Sequence, residues 1–395
     1  MGELLLKSIQ PQSILSFGPE TEPIELSSLN VLIGPNGSGK SNLIETIALL
    51  RSAQSRDNQR DIRGTIRAGG GIEEWIWKRK SQGEAILDAV VSNPGGTQPL
   101  RHVIAFRQVG QLFHLVDERI EYEKPFANQV DPYFFYRYQR GNPVISTKQE
   151  EKRHLQRDTV EPDLSILAQR RDPETYPVLS YLSQAYEAIR IYREWSFGRR
   201  ADLRKAQQID MPNWPLEEDF SNLGLFLNSI AEPSSVKHAL LSSLQQLYED
   251  FSDFGVRIKG GTVQLFFNEA DYVIPATRLS DGTLRYLCLL AILHDPEPPP
   301  LLCIEEPELG MHPDVLPHLA DLLVEASRRT QVIVTTHSDM LVDAMSEHPE
   351  AVMICEKRQE GTHISRPDPE RLASWLQDYR LGELWTSGQL GGVRW

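Results

Sequence analysis

An α/β fold built around a parallel sheet is what this sequence predicts, and three observations predict it. The stretch NVLI, read as a short buried strand, runs into GPNGSGKS and then into an apolar-periodic helix from Lys40 to about Arg51. From Val256 onward, strands alternate with helices: VRIKG and TVQLFF, an apolar helix after Gly282, LLCIE, a helix from about Pro313, QVIVTT, a further helix and AVMICEK. Such alternation calls for parallel strands joined by right-handed crossovers. Between these two regions the period changes, because YPVLSYLSQAYEAIRIY, FSNLGLFLNSI and VKHALLSSLQQLYEDF space their apolar residues helically.

The elements divide the 395 residues into three parts. Residues 1–150 hold the glycine-rich loop and a β-rich arm read from LLLKSI, SSLNVLI, EEWIWK, EAILDAVV, RHVIAFRQV and QLFHLVD. Residues 151–255 form a short helical insert, too interrupted by Pro and Gly for a coiled-coil arm. Residues 256–395 complete the α/β head, and the GlyGly between VRIKG and TVQLFF marks a hairpin turn.

Composition narrows the partners. Forty-one basic against fifty-five acidic residues give a formal charge of −14, which disfavours blanket attraction to nucleic acid or to an anionic membrane. DNA therefore needs a local patch. No apolar run approaches the roughly 20 residues of a membrane span, and MGELLLKSIQ carries neither a secretion signal nor a myristoylation motif. Cys288, Cys303 and Cys355 lie far apart in apolar contexts, so the expected location is a reducing cytoplasm, without a zinc cluster or disulfide framework.

GPNGSGKS fits the phosphate-loop pattern at Gly34, Gly39, Lys40 and Ser41, between a strand and a helix as that pattern requires. Its glycines let the backbone of Gly34, Pro35, Asn36, Gly37, Ser38, Gly39, Lys40, Ser41 and Asn42 wrap a phosphate and aim N–H groups at it, Pro35 contributing shape alone. Lys40 reaches the β and γ phosphates, and Ser41 ligates Mg²⁺. LLCIEEPELGMHP then ends a hydrophobic strand on two carboxylates. Glu305 is assigned to the metal and Glu306 to the base that polarises an attacking water.

RLSDGTLRYLCLLAIL opens an apolar helix about twenty residues before the acidic strand. Ser280 and Asp281 are favoured helix caps in any protein, so the motif gains weight from its order and spacing. LSDG resembles the signature of ABC-type ATPases, and that resemblance implies that Ser280, Asp281 and Gly282 cover the γ-phosphate bound to the opposite subunit. TTHSD places His337 where the family carries its switch histidine, and residues 307–313 resemble its D-loop.

Together the motifs resemble compact ABC ATPases of the RecF and structural-maintenance-of-chromosomes kind, the ATPase half of overcoming-lysogenisation-defect proteins, and stand-alone bacterial ATPases often labelled AAA. Residues 1–50 and 275–360 carry the likeness, as does the ending LGELWTSGQLGGVRW with Trp385 and Trp395. The resemblance implies a P-loop head that binds ATP and Mg²⁺, hydrolyses ATP, and closes as a homodimer across two nucleotides. With no Toprim nuclease following, it implies a regulatory or sensor subunit for a separate effector, in bacterial anti-phage defence. The alternative is a DNA-repair or chromosome-associated ATPase that clamps DNA directly. Glu305 departs from the Asp of most ABC enzymes. Gln108 and Gln111 read either as a glutamine loop or as a strand hairpin, and Phe17 either as an adenine stacker or as core.

Two basic stretches stand out against the acidity. RIYREWSFGRRADLRK has six basic and two acidic residues among aromatics, making Arg190, Arg193, Arg199, Arg200 and Arg204 a candidate nucleic-acid or partner patch. RSAQSRDNQRDIRGTIR has five basic and two acidic residues. A solvated face is the competing reading for both.

Overall fold

The computed structural model describes residues 4–79, 83–139, 142–146, 152–154, 160–232, 234–270 and 272–391; Trp395 and the last residues of the GGVRW ending lie outside them. The central sheet has six strands in the order Arg190–Tyr192, Leu301–Glu305, Gln331–Thr335, Leu29–Ile33, Val352–Arg358 and Gly361–Ser365. The first five run parallel and the last is antiparallel. Leu29–Ile33 and Gln331–Thr335 are buried at every residue, as befits strands covered on both faces.

Alternation along these strands separates two cores. Leu29, Val31, Ile33, Ile304 and Val334 face the side of the helix Asp281–Leu293, whereas Leu32, Cys303 and Ile333 pack with Leu43, Ile44 and Ile47 of the helix Lys40–Ser52. That second core continues into an eight-stranded antiparallel arm, ordered Ile24–Glu25, Leu6–Gln12, Ala85–Val91, Leu100–Val109, Leu112–Tyr122, Phe134–Gln139, Asn142–Ser146 and Lys152–His154. Arm and head are stitched at Gln331. Its amide accepts from the Leu6 N–H at 2.9 Å and donates to the carbonyls of Leu6 at 2.7 Å and Ser27 at 3.2 Å.

The segment read as a helical insert contains Pro177–Glu187, Leu223–Ile230 and Ser234–Gln245, but it also sends Arg190–Tyr192 into the central sheet beside Leu301–Glu305. Three residues are too few to display a period of two. EEWIWK, read as β-like, forms the short helix Ile72–Trp75 instead. Gly260 and Gly261, at φ 59° and 76°, form the two-residue turn of the hairpin Phe251–Lys259 and Thr262–Glu269. FRQVGQ is likewise a strand hairpin, turning at Gly110, and Phe17 is wholly buried in the arm-side core.

Candidate nucleotide site

Strand register positions the site. Glu305 is level with Thr335, and Thr335 with Leu32, so the chain leaves three adjacent parallel strands on one edge as the phosphate loop, as Glu306 and as Thr336–His337. Parallel α/β sheets bind ligands at this carboxyl edge.

In the loop, Gly34, Gly37 and Gly39 adopt φ of 148°, 74° and 104°. A Cβ on Gly34 would stand 2.3 Å from the carbonyl oxygen of Cys355, and one on Gly39 2.2 Å from Thr362 Oγ1. Asn36 and Gly37 are exposed. Pro35 and Gly34 turn their carbonyls to the Lys40 ammonium, which donates to them at 3.2 and 2.7 Å. Burial holds Lys40 below the usual lysine range, against the opposing pull of Cys355, Glu306, Glu308 and Glu305. The helix begins at Gly39 with no side-chain cap, leaving its first N–H groups for an anion. Ser41 is exposed on the first turn, and the buried Ser38 hydroxyl has no partner. Asn42, expected among the nucleotide contacts, donates its side-chain amide to Ser16 Oγ at 2.6 Å, bracing the loop.

At the acidic edge, Glu306 takes the left-handed backbone, φ 47°, a conformation that costs a non-glycine residue roughly 1–3 kcal/mol. Its N–H donates to the Thr335 carbonyl at 3.0 Å, and its carboxylate lies 3.4 Å from His337 Nε2. Glu308 fixes the histidine from below, accepting from Thr336 Oγ1 at 2.7 Å and from the His337 N–H at 2.8 Å, while its other oxygen is buried without a partner. Sequence reasoning gave Glu308 no role of its own, because its bonds are to main chain and hydroxyl 28 and 29 residues away. Among the described residues no cluster of three or more His, Cys, Asp or Glu could hold a metal unaided. The Ser41 hydroxyl and the Glu305 carboxylate nevertheless suit a hard cation that completes its shell with phosphate oxygens and water, as Mg²⁺ does.

Ser280 caps the helix Asp281–Leu293, accepting from the Thr283 N–H at 3.1 Å. Gly282 lies so close to the 307–313 loop that a Cβ would stand 2.8 Å from the Gly310 carbonyl oxygen. Asp281 pairs with Arg204. Arg204 therefore departs from the expected surface patch: it is buried, and donates to the carbonyls of Phe197 and Leu279, each at 2.8 Å. Arg193 pairs with Glu45, and Arg190 donates to the Glu187 carbonyl at 2.8 Å. Arg199 and Arg200 are exposed beside a cleft of about 490 Å³. In the second basic stretch Arg51 pairs with Glu218 and Arg63 with Asp61.

A second cleft, about 520 Å³, adjoins the phosphate loop and shares Ser16 and Asn42 with its bracing. Trp75, Trp77, Lys78, Arg79, Lys357 and Arg358 line it. The Trp75 indole N–H is buried without a partner, and the Trp77 ring is half-buried with the Arg79 guanidinium 5.8 Å from its centre. Nothing in WIWK beyond its two indoles pointed to this cleft.

A family model described as "AAA domain, putative AbiEii toxin, Type IV TA system" matches residues 29–343. The chain belongs to this AAA-domain family. This AAA-domain protein is 32% identical over 107 residues to the vitamin B12 import ATP-binding protein BtuD of Salmonella typhi, a match spanning 26% of this chain and 39% of that protein. It is 34% identical over 122 residues to the chromosome partition protein Smc of Desulfitobacterium hafniense, spanning 28% of this chain and 9% of that protein. In fold it is similar to an Smc head solved with the C-winged helix domain of ScpA, with a TM-score of 0.54 at 14% identity over 93% of this chain and 99% of that one. An Smc head from Pyrococcus furiosus with an extended coiled coil, bound to the C-terminal domain of ScpA, has a TM-score of 0.54 at 13% identity over 95% and 99%. The fold of this AAA-domain protein is thus the P-loop ATPase head of the ABC and Smc type. Among its described residues no helix is long and apolar enough to cross a membrane.

Proposed function

We propose that the chain is an ATP-hydrolysing enzyme whose two copies close on two nucleotides, and that it serves as the regulatory or sensor subunit of a separate effector protein in anti-phage defence. The observation that carries the enzymatic reading is the Glu306 carboxylate 3.4 Å from His337 Nε2, on the same sheet edge as the buried Lys40 ammonium. Lys40 and the loop amides bind the triphosphate, and Ser41 and Glu305 would hold a Mg²⁺ that would supply neutralisation of the phosphate charge. Glu306 orients a water and takes its proton as the water oxygen bonds the γ-phosphorus. The bond from that phosphorus to the β–γ bridging oxygen then breaks, leaving ADP and phosphate. His337 stabilises the charge gathering on the departing phosphoryl group.

Ser280, Asp281 and Gly282 complete the site of the partner copy. ATP then favours the closed pair by its differential affinity, and about 5.5 kcal/mol moves a two-state closure from 1% to 99%. The acidic net charge, and a family described as a putative type IV toxin–antitoxin component, favour a protein effector over DNA. Direct DNA clamping draws support from exposed Arg199 and Arg200. Stimulation of hydrolysis by duplex DNA, abolished by reversing both charges, would move the assignment there.

The test is Glu306→Gln with MgATP in light scattering. It is expected to run at about twice the monomer mass and to turn over at least about 100-fold more slowly than the unaltered chain. A monomer that retains bound ATP would overturn the closure reading.

A further inference from the structure

Two successive carbonyls end the acidic strand, and each is held by a side chain from a different element. The indole N–H of Trp195 donates to the Glu305 carbonyl at 2.7 Å. Nη1 of Arg285 reaches the Glu306 carbonyl at 3.5 Å. The two side chains also hold each other, with the Arg285 guanidinium 5.0 Å from the Trp195 ring centre and 5.4 Å from that of Phe197. Trp195, Phe197 and Phe220 stack at 5.5 to 6.3 Å with interplanar angles of 21° to 26°. The cation is therefore pressed against a rigid aromatic face. Planar guanidinium on indole is a favourable and directional contact.

The placement joins three parts of the protein. Trp195 follows the edge strand Arg190–Tyr192 and belongs to the insert. Arg285 lies on the helix that Ser280 caps, one and a half turns further along. Glu306, the proposed base, has a left-handed backbone at φ 47°, a conformation that its surroundings must hold in place. Burial pulls Arg285 below the ordinary arginine range, while Glu308, Cys288 and Glu306 pull the other way.

We propose that Arg285 and Trp195 are positioning residues that set the Glu306 carboxylate, so that the seating of the signature helix on the partner's nucleotide fixes the base for hydrolysis in its own subunit. Rigid helices carry displacement along their length, so movement at Ser280 arrives at Arg285. The pair acts through Glu306 and touches no reacting atom. This inference rests on the assignment of Glu306 as the base.

The experiment uses the 395-residue chain with MgATP and five variants: Trp195→Phe, Arg285→Met, their combination, Arg285→Lys, and Glu306→Gln as reference. Trp195→Phe removes the N–H bond and leaves a smaller aromatic ring in the stack beneath Arg285. The expected result is a kcat loss of about 10-fold for Trp195→Phe and about 30-fold or more for Arg285→Met, with KM, ATP affinity and melting temperature close to the unaltered protein. The double variant is expected to be no worse than Arg285→Met, because the two residues form one unit. Arg285→Lys, which keeps the charge but not the planar fork, is expected to recover only part of the rate. Unchanged kcat, kcat losses that follow the melting temperature, or losses that multiply in the double variant would overturn the proposal. Full turnover by Glu306→Gln would instead defeat the base assignment beneath it, an outcome read in a separate tube.

Discussion

The carbonyl oxygen of Cys355 stands 2.3 Å from where a Cβ on Gly34 would be, so the phosphate loop begins pressed against a neighbouring strand's backbone. Gly34 also has φ 148°, so a side chain there meets both a clash and strain. Gly34→Ala is expected to lose ATP binding and at least about 2 kcal/mol of stability. Lys40→Ala is expected to lose ATP binding without a fall in melting temperature, since it removes a buried charge. Fluorescent-nucleotide titration and thermal melts separate the two, and unchanged nucleotide affinity in Lys40→Ala would refute the phosphate-loop assignment.

A nucleoside extending from the loop is expected to come to rest in the cleft lined by Trp75 and Trp77. Trp77→Ala should therefore weaken ATP by about 10-fold, in line with the worth of one base stacked on an aromatic ring. Inorganic tripolyphosphate, which has no base, should bind variant and unaltered chain equally. Calorimetry with both ligands decides it, and equal ATP affinities would remove the nucleoside from this cleft.

Ser280 receives the Thr283 N–H and lies next to Gly282, which has no room for a side chain. Ser280→Arg puts a long cation where a partner's γ-phosphate is proposed to arrive. ATP binding to the monomer should persist, whereas steady-state hydrolysis should fall at least about 100-fold. Full turnover in this variant would abolish the composite site.

Acid should weaken the fold through His294. Burial, aided by Arg329 and His318, pushes this histidine down to about 4, and its Nε2 lies 3.3 Å from Ser243 Oγ. An unfolded histidine binds a proton below about 6.5, so between about 6.5 and 4 the unfolded chain holds more protons and stability falls as pH falls. From pH 7.5 to 5 the loss from this residue is about 2 kcal/mol at most. Denaturant melts of His294→Gln should show a shallower pH dependence across that window, and an identical slope would clear His294 of the effect.

The sequence announced the phosphate loop because three glycines with positive φ must stand at fixed positions, and no other residue type serves there as well. The acidic strand was equally plain, its buried apolar run ending abruptly on charge. Arg204 was misplaced for a physical reason: counting charges along a segment cannot reveal that one guanidinium turns inward to carbonyls 72 to 75 residues distant. Arg190–Tyr192 escaped because a three-residue strand beside helices has no period of its own. The His337 N–H and the Glu306 carbonyl, which Glu308 and Arg285 meet, are main-chain groups that nearly every residue has, so no pattern of side chains could mark these contacts.

Both neighbours of the strand Leu29–Ile33 are supplied by the last quarter of the chain, Gln331–Thr335 on one side and Val352–Arg358 on the other. During synthesis the ribosome releases GPNGSGKS some three hundred residues before either strand that flanks Leu29–Ile33 is complete. A nascent chain stalled near Leu301 is thus expected to carry the whole loop and yet be blind to nucleotide, exposing its apolar strand to chaperones until the carboxyl-terminal strands emerge and lock it from either flank.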